Sequence, residues 1–401
     1  MLVTPSNVNP VAKIKVVGVG GAGGNAVNTM IADYSTEGVE FYAFNTDAQV
    51  LKNSLAPQTL QLGPELTRGL GVGGDHNVGA QAAEESLDEI HEHLAGADMV
   101  FLTAGMGGGT GTGAIPVIAG VAKNLGALTV AVVTKPFKFE GKHRERVAEE
   151  GLAELKDKVD TLIIVDNQRL LEIVDENISF LEAMKEVDKV LAEGVKSISS
   201  LVTMTGFINV DFADVKAIMT NAGTSLMGMG RASGDKRAET AARQAATSPL
   251  LDMSIQGAKG VLFNIVGGTD LSMSEINTAA QMIGEAVDPD AKVIFGATID
   301  ETMKDEIVIT IVATGFDEAA QHDIELEALN VDSPARKLLI QEEPKSSLID
   351  KPVQKAPQVQ TPVNFTEVDS AAKEPSKPAD DFKSGSDDDD LEIPAFMRRK
   401  N

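Results

Sequence analysis

The chain has 401 residues, no cysteine and no tryptophan, and its 60 acidic against 35 basic residues give a formal net charge of −25. At roughly 150 residues per domain the length leaves room for two domains, and without cysteine no disulfide framework, thiolate metal site or thiol nucleophile is possible. A body this acidic repels nucleic-acid phosphates and anionic membranes. No apolar run reaches the roughly 18–20 residues of a membrane span, and Met1 to Pro10 do not read as a signal peptide, so a cytoplasmic protein with neither nucleic-acid binding nor direct membrane insertion is expected.

Along the chain, residues 1–12 read as a flexible N-terminus. Lys13 to Val19 is a β-branched run that stops at glycines and reads as a buried strand. A helix is expected from Gly23 to Asp33 and a strand over Val39 to Phe44, ending at Asn45-Thr46-Asp47. A long loop then carries Arg68-Gly-Leu-Gly-Val-Gly-Gly-Asp75. Next come a helix over Val78 to Ala95, a strand over Met99 to Thr103 and an apolar helix from Ile115 to Leu125. Leu128 to Val133 is a strand, Lys142 to Lys158 a helix and Thr161 to Val165 a strand. Strands alternating with helices imply a parallel sheet covered on both faces, a nucleotide-binding domain over 13–177. Helical periodicity from Ile178 to Leu201 makes 178–204 a long central helix. A second α/β domain over 205–317 has strands near Val261–Val266, Lys292–Thr298 and Ile307–Ala313. Its helices lie near Asp211–Thr220, Lys236–Thr247 and Ser272–Glu285.

Beyond Asp317 the composition turns to Pro, Ser, Lys, Glu and Asp, so 318–386 reads as a disordered linker. As a random coil its roughly 70 residues would span about 45–50 Å. Residues 387–401 differ again: acidic residues precede an apolar centre and basic residues follow. That order suits a short helix folding on a partner, and equally a solvated charged terminus.

Two glycine loops carry chemistry. Gly18-Val-Gly20-Gly-Ala-Gly23-Gly24-Asn25 lies between a strand and a helix with G-x-G-x-x-G spacing, so backbone amides can approach a phosphate at a helix N-terminus. By itself it fits a dinucleotide, with Asp47 as the ribose acid of an NAD-dependent oxidoreductase. The second loop, Gly105-Met-Gly107-Gly108-Gly109-Thr110-Gly111-Thr112-Gly113, again follows a strand and precedes a helix. It can form a nest of N–H donors around an anion, and it lacks the lysine of a P-loop. Two such loops on one sheet suggest a phosphate chain gripped from both sides.

At these residues the sequence resembles the tubulin/FtsZ family of cell-division GTPases. The run Gly107 to Gly113 is similar to the family's signature loop, and the resemblance covers about 11–317 and 387–400. It implies a tubulin/FtsZ-like fold with a Rossmann-like parallel sheet, GTP as substrate, Mg²⁺ on its phosphates, and head-to-tail filaments forming the ring at the mid-cell division site. By the same resemblance Gly21, Ala22, Gly23, Gly24 and Asn25 hold phosphates, as do Gly107, Gly108, Gly109, Thr110 and Gly111. Asn45 belongs to the nucleotide contacts, Gly71 to Gly74 (Gly73 among them) senses the γ-phosphate, Glu140 and Arg144 lie at the ribose, and Asn167 and Asp188 read guanine. Many members carry Phe where this chain has Met184 near the base, and a thioether packs on a purine less specifically. Ala22 replaces a frequent glycine.

No residue of the first domain is an obvious water activator. Asp211 and Asp214 are three apart and share a helix face, which fits two carboxylates orienting a water and equally an ordinary acidic helix start. The resemblance implies catalysis: Asn209, Asp211 and Asp214 would face the nucleotide of the next subunit, a heterologous contact that builds open filaments. The terminal peptide resembles the family's tail that docks on membrane-tethering and regulatory division proteins, with Leu391, Ile393, Phe396 and Met397 as apolar anchors. His91 and His93, two apart on a helix, do not face each other, and no protein-bound metal site is expected.

Overall fold

The structure, a computed structural model, describes residues 12–33, 38–173, 178–203, 210–248, 255–300 and 303–316. The run Ile14–Val19 forms β1, buried along its whole length. Such a strand needs no alternation because both faces are covered: Ile14 and Val16 face one core cluster, Val17 and Val19 the other. Helix α1 (Gly20–Asp33) returns to β2 (Val39–Asn45). The expected long loop then contains α2 (Ala48–Lys52), β3 (Gln58–Gln61) and α3 (Pro64–Thr67).

The single helix expected over 78–95 is two, α4 (His76–Glu85) and α5 (Leu87–Leu94). They part at Ser86, whose buried hydroxyl accepts the N–H of Gly63 at 3.1 Å. Strand β4 (Met99–Gly105), α6 (Thr110–Asn124), β5 (Leu128–Lys135), α7 (Lys142–Lys156), β6 (Thr161–Asp166) and α8 (Asn167–Ile173) follow. The long α9 (Phe180–Thr203) buries Val187, Leu191, Val195 and Ile198 along one stripe.

After α10 (Phe212–Met219) comes β7 (Gly223–Ser233), a strand that its Gly- and Met-rich sequence, without clear alternation, does not announce. Then α11 (Arg237–Ala246), β8 (Gly260–Gly267), α12 (Met273–Ala286), β9 (Lys292–Ile299) and β10 (Glu306–Thr314) complete the described elements.

The described strands form one ten-stranded sheet in the order β3-β2-β1-β4-β5-β6-β7-β10-β8-β9. From β3 to β7 every pairing is parallel, β10 is antiparallel to both β7 and β8, and β9 is parallel to β8. The second half is therefore an extension of the first sheet, joined through the short pairing Thr161–Ile163 with Gly223–Ser225. Helix α9 packs across both halves: Val195 and Leu201 share a cluster with Val130 of β5 and Leu262 of β8.

Candidate functional site

The strand order reverses between β1 and β4, since β1 pairs with β2 on one side and β4 on the other. In open parallel sheets a ligand crevice opens at that switch point, outside the carboxyl ends of the strands. Both glycine loops leave the sheet there, one after β1 and one after β4.

The helices begin earlier than the apolar pattern suggests, because the glycines themselves form their first turns: α1 starts at Gly20 and α6 at Thr110. The unpaired N–H groups of a helix start are thus supplied by glycine and threonine. The loops also need glycine to pack. Gly20 has φ 71°, and a side chain there would meet the Gly111 nitrogen at 2.9 Å. At Gly113 a Cβ would collide with the carbonyl of His76, so the run that opens α6 also lets α4 lie against it.

A crevice of about 500 Å³ results, within the range of a small-molecule site. Fifteen of the eighteen nucleotide residues expected from the sequence line it: Gly21, Ala22, Asn25, Asn45, Gly71, Gly73, Gly108, Gly109, Thr110, Gly111, Glu140, Arg144, Asn167, Met184 and Asp188. Gly23, Gly24 and Gly107 do not. Gly23 is pressed on the Thr103 carbonyl, Gly24 is buried in α1, and Gly107 packs on the Arg144 backbone while its N–H donates to Thr112 Oγ1 at 2.9 Å. These three shape the loops from behind.

Thr46, Thr134, Pro136 and Phe137 also line the crevice. No motif singles them out, although Thr134 lies at the carboxyl end of β5, Pro136 and Phe137 follow that end, and Thr46 follows that of β2. Thr46 Oγ1 lies 2.6 Å from Thr110 Oγ1, tying the β2 end to the second glycine loop.

The polar groups differ in how far they are already engaged. Asp47 caps α2, its Oδ1 accepting from Gln49 N at 2.8 Å and Val50 N at 3.3 Å, which leaves it a helix cap rather than a ribose acid. Glu140 pairs with Arg144 one turn on and accepts the Phe137 N–H at 2.9 Å. Asn167, by contrast, is buried and its Oδ1 has no partner. Burial of Asp188 pushes its carboxyl up to about 6. An orphaned amide oxygen and a desolvated carboxylate lining one crevice make an acceptor pair for a ligand that brings N–H donors.

Among the described residues no group of three or more His, Asp or Glu could hold a metal by itself. Neutral oxygens of Asn45, Thr46 and Thr110 in the crevice fit a hard cation that arrives on a ligand's phosphates. The His93 ring packs against Tyr42 at 5.7 Å between centroids, and the His93 carbonyl accepts Lys15 Nζ at 2.6 Å, so the residue serves the core and the end of α5.

Asp211 and Asp214 lie elsewhere. Asp211 is the N-cap of α10, Oδ1 accepting from Ala213 N at 3.2 Å, and Asp214 stands 3.9 Å from Lys292 Nζ. Both are exposed, and neither lines the crevice. Asn209 and the anchors Leu391, Ile393, Phe396 and Met397 lie outside the described residues. No described helix is long and apolar enough to cross a membrane.

The family description "Tubulin/FtsZ family, GTPase domain" matches residues 13–175, and "FtsZ family, C-terminal domain" matches 223–317. FtsZ from M. jannaschii, solved as an empty dimer, is 46% identical over 76% of this chain and 88% of its own, with a TM-score of 0.74. A point mutant of the same protein gives 46%, 76%, 91% and 0.74. CetZ2 from Haloferax volcanii, in a protofilament with GTPγS bound, shares the fold at 22% identity and a TM-score of 0.65, over 80% of this chain and 98% of its own. These matches leave no support for a dehydrogenase: the chain belongs to the tubulin/FtsZ family, and it is a GTPase that takes GTP with Mg²⁺.

Proposed function

We propose that the chain polymerises head-to-tail into the filaments of a division ring, and that each GTP is hydrolysed between two subunits. One subunit supplies the crevice; the next supplies Asp211 and Asp214. The observation that carries this reading is the division of carboxylates. Of those lining the crevice, Asp47 caps α2, Glu140 is held by Arg144, and Asp188 stands on α9 beside Met184 and Val187. Each of these is engaged by a cap, by an ion pair or by burial, whereas the carboxylates of α10 are exposed and lie outside their own subunit's crevice.

In this mechanism the amides of Gly21, Gly108, Gly109 and Gly111 hold the phosphates, with Thr110 adding a hydroxyl. The Gly71–Gly74 loop closes on the terminal phosphate. Asn167 accepts from the base and Asp188 accepts both the N1–H and the 2-amino group of guanine. Magnesium, when bound, screens the β- and γ-phosphate charge. Asp211 retains Oδ2 for a water while Oδ1 stays with the helix cap, and phosphoryl transfer asks mainly for such positioning. Asn209 stands two residues before Asp211 and belongs to the donated set.

Residues 318–386 act as a spacer and 387–401 as a docking peptide for membrane-tethering and regulatory division proteins at mid-cell, through Leu391, Ile393, Phe396 and Met397. The resemblance of the peptide to the family's docking tail supports this role.

The test is Asp211→Ala. It should bind GTP normally, lose hydrolysis, and in mixtures with wild type silence neighbouring sites, so that activity falls faster than the fraction of variant. Normal hydrolysis by Asp211→Ala would overturn the shared-site reading.

A further inference from the structure

Helix α10 packs on the core through Phe212, Val215, Ile218 and Met219, and its hydrogen bonds to the sheet lie at the end away from its aspartates. Its eight residues span about 12 Å. The polar contacts at the Asp211 end are only the residue's own cap and the exposed Lys292–Asp214 pair, a weak restraint. At the other end one of the last carbonyls, which lack intrahelical partners, is taken by the sheet. Thr161 Oγ1 of β6 donates to Met219 O at 2.6 Å, while the Thr314 hydroxyl of β10 donates to Gly260 O at 3.2 Å and lies 3.5 Å from Ile218 O.

The turn that follows, through Asn221 at φ 51°, is tied down by Asp160. This aspartate is buried, with 6% of its surface exposed. Its Oδ2 accepts the Thr129 N–H of β5 at 2.9 Å, and its Oδ1 accepts the Asn221 N–H at 3.4 Å with Lys123 Nζ at 3.9 Å. Its backbone bridges the same strands: its N–H donates to Thr129 O at 2.9 Å and its carbonyl accepts Gly223 N–H at 3.0 Å. Burying a carboxylate is costly unless it is well bonded, and here its two backbone N–H partners join β5 to the turn that follows α10.

We infer that Asp160 is a positioning residue for hydrolysis: with Thr161 it anchors the C-terminal end of α10 to the nucleotide-binding sheet and so sets where Asp211 and Asp214 are presented to the next subunit. The inference rests on the shared-site reading above. Asp160 does not line the crevice; it acts through the helix, whose position shifts when the anchor is loosened.

The experiment compares Asp160→Asn, Thr161→Val and Asp211→Ala with wild type, as full chains. Readouts are nucleotide affinity, the amount of pelleted filament, turnover per pelleted subunit, and turnover of wild-type subunits in equimolar mixtures. For Asp160→Asn and Thr161→Val, GTP affinity should hold within about twofold while turnover per pelleted subunit falls about 10-fold to 100-fold, the cost of an ångström-scale misplacement. In mixtures both should depress wild-type turnover, as Asp211→Ala does. A merely structural residue would change melting and filament yield but not turnover per pelleted subunit. That result, beside an inactive Asp211→Ala, overturns the role of Asp160 and leaves the shared site standing. An active Asp211→Ala overturns the shared site itself, and the anchor with it. Thr161→Val, nearly isosteric, decides the matter where Asp160→Asn does not fold.

Discussion

At the scale of single residues, base selection in the proposed function rests on two groups left unsatisfied by the fold. Asn167 Oδ1 is buried without a partner, and burial raises the Asp188 carboxyl to about 6. Guanine donors favour the ionised carboxylate and so pull its pKa down in the complex. GTP affinity should therefore approach its full value by about pH 7 and decline as pH drops through 6. Calorimetry should find binding about tenfold weaker at pH 5 than at pH 7, because a one-unit departure from the pKa changes the ionised fraction about tenfold. Asp188→Asn should lose this pH dependence and weaken GTP binding about 10-fold to 100-fold, the worth of a charged hydrogen bond. Its amide can donate to a carbonyl at the 2-position of the base, so the same titration with XTP should show the preference reversed. Met184 lies beside these groups and supplies packing without a direction of its own.

At the scale of elements, the glycine motifs do two jobs that spacing alone does not separate. Gly21 and Gly108 face open space in the crevice, whereas Gly23 and Gly113 are pressed against backbone carbonyls. The sequence marks the glycines; only the packing of α1 on β4, and of α4 on α6, sorts them. The second half of the chain has its own clamp. Arg237, at the start of α11 and 5% exposed, donates to Asp270 Oδ2 and Glu275 Oε1, both at 2.6 Å. Glu275 also completes the Ser272 capping box of α12. The guanidinium holds the Glu275 carboxyl down at about 2, against an ordinary 4.5. A depressed carboxyl stabilises the fold above its unfolded pKa and loses that contribution as pH falls from about 4.5 towards 2. Glu275→Gln should cost about 1 kcal/mol at pH 7, and thermal melts of the two proteins should converge as the pH is lowered through that window.

At the scale of the whole molecule, the ten-stranded sheet makes the crevice and α10 parts of one frame. Strand β7 joins the halves and α9 packs across both, lining the crevice through Met184, Val187 and Asp188 and meeting Thr310 of β10 through Ser197 Oγ at 3.2 Å. A shared site makes turnover a property of assembly: specific activity should be near zero in dilute protein and rise above a critical concentration, in step with GTP-dependent light scattering. Activity proportional to protein at all dilutions would sink the polymer reading. The net charge of −25 opposes subunit contact by repulsion that salt screens. Removing residues 387–401 should leave critical concentration and turnover unchanged while abolishing pull-down of the membrane tether.

The sequence by itself determined the alternation of strands and helices in the first half, since β1, β4 and β5 are apolar runs that any parallel sheet would bury. It also determined the glycine loops, because loops after parallel strands converge at one edge, and the family resemblance they carry named Glu140, Arg144, Asn167, Met184 and Asp188 of the crevice lining. It did not announce β3, a short polar edge strand, or β7, whose stability comes from its neighbours β6 and β10 rather than from its own pattern. Nor could it say which glycines face a ligand, that Asp47 is spent on a helix cap, or that Asp160 joins β5 to the turn after α10. Those depend on distances between segments far apart in the chain, and only the folded sheet sets them.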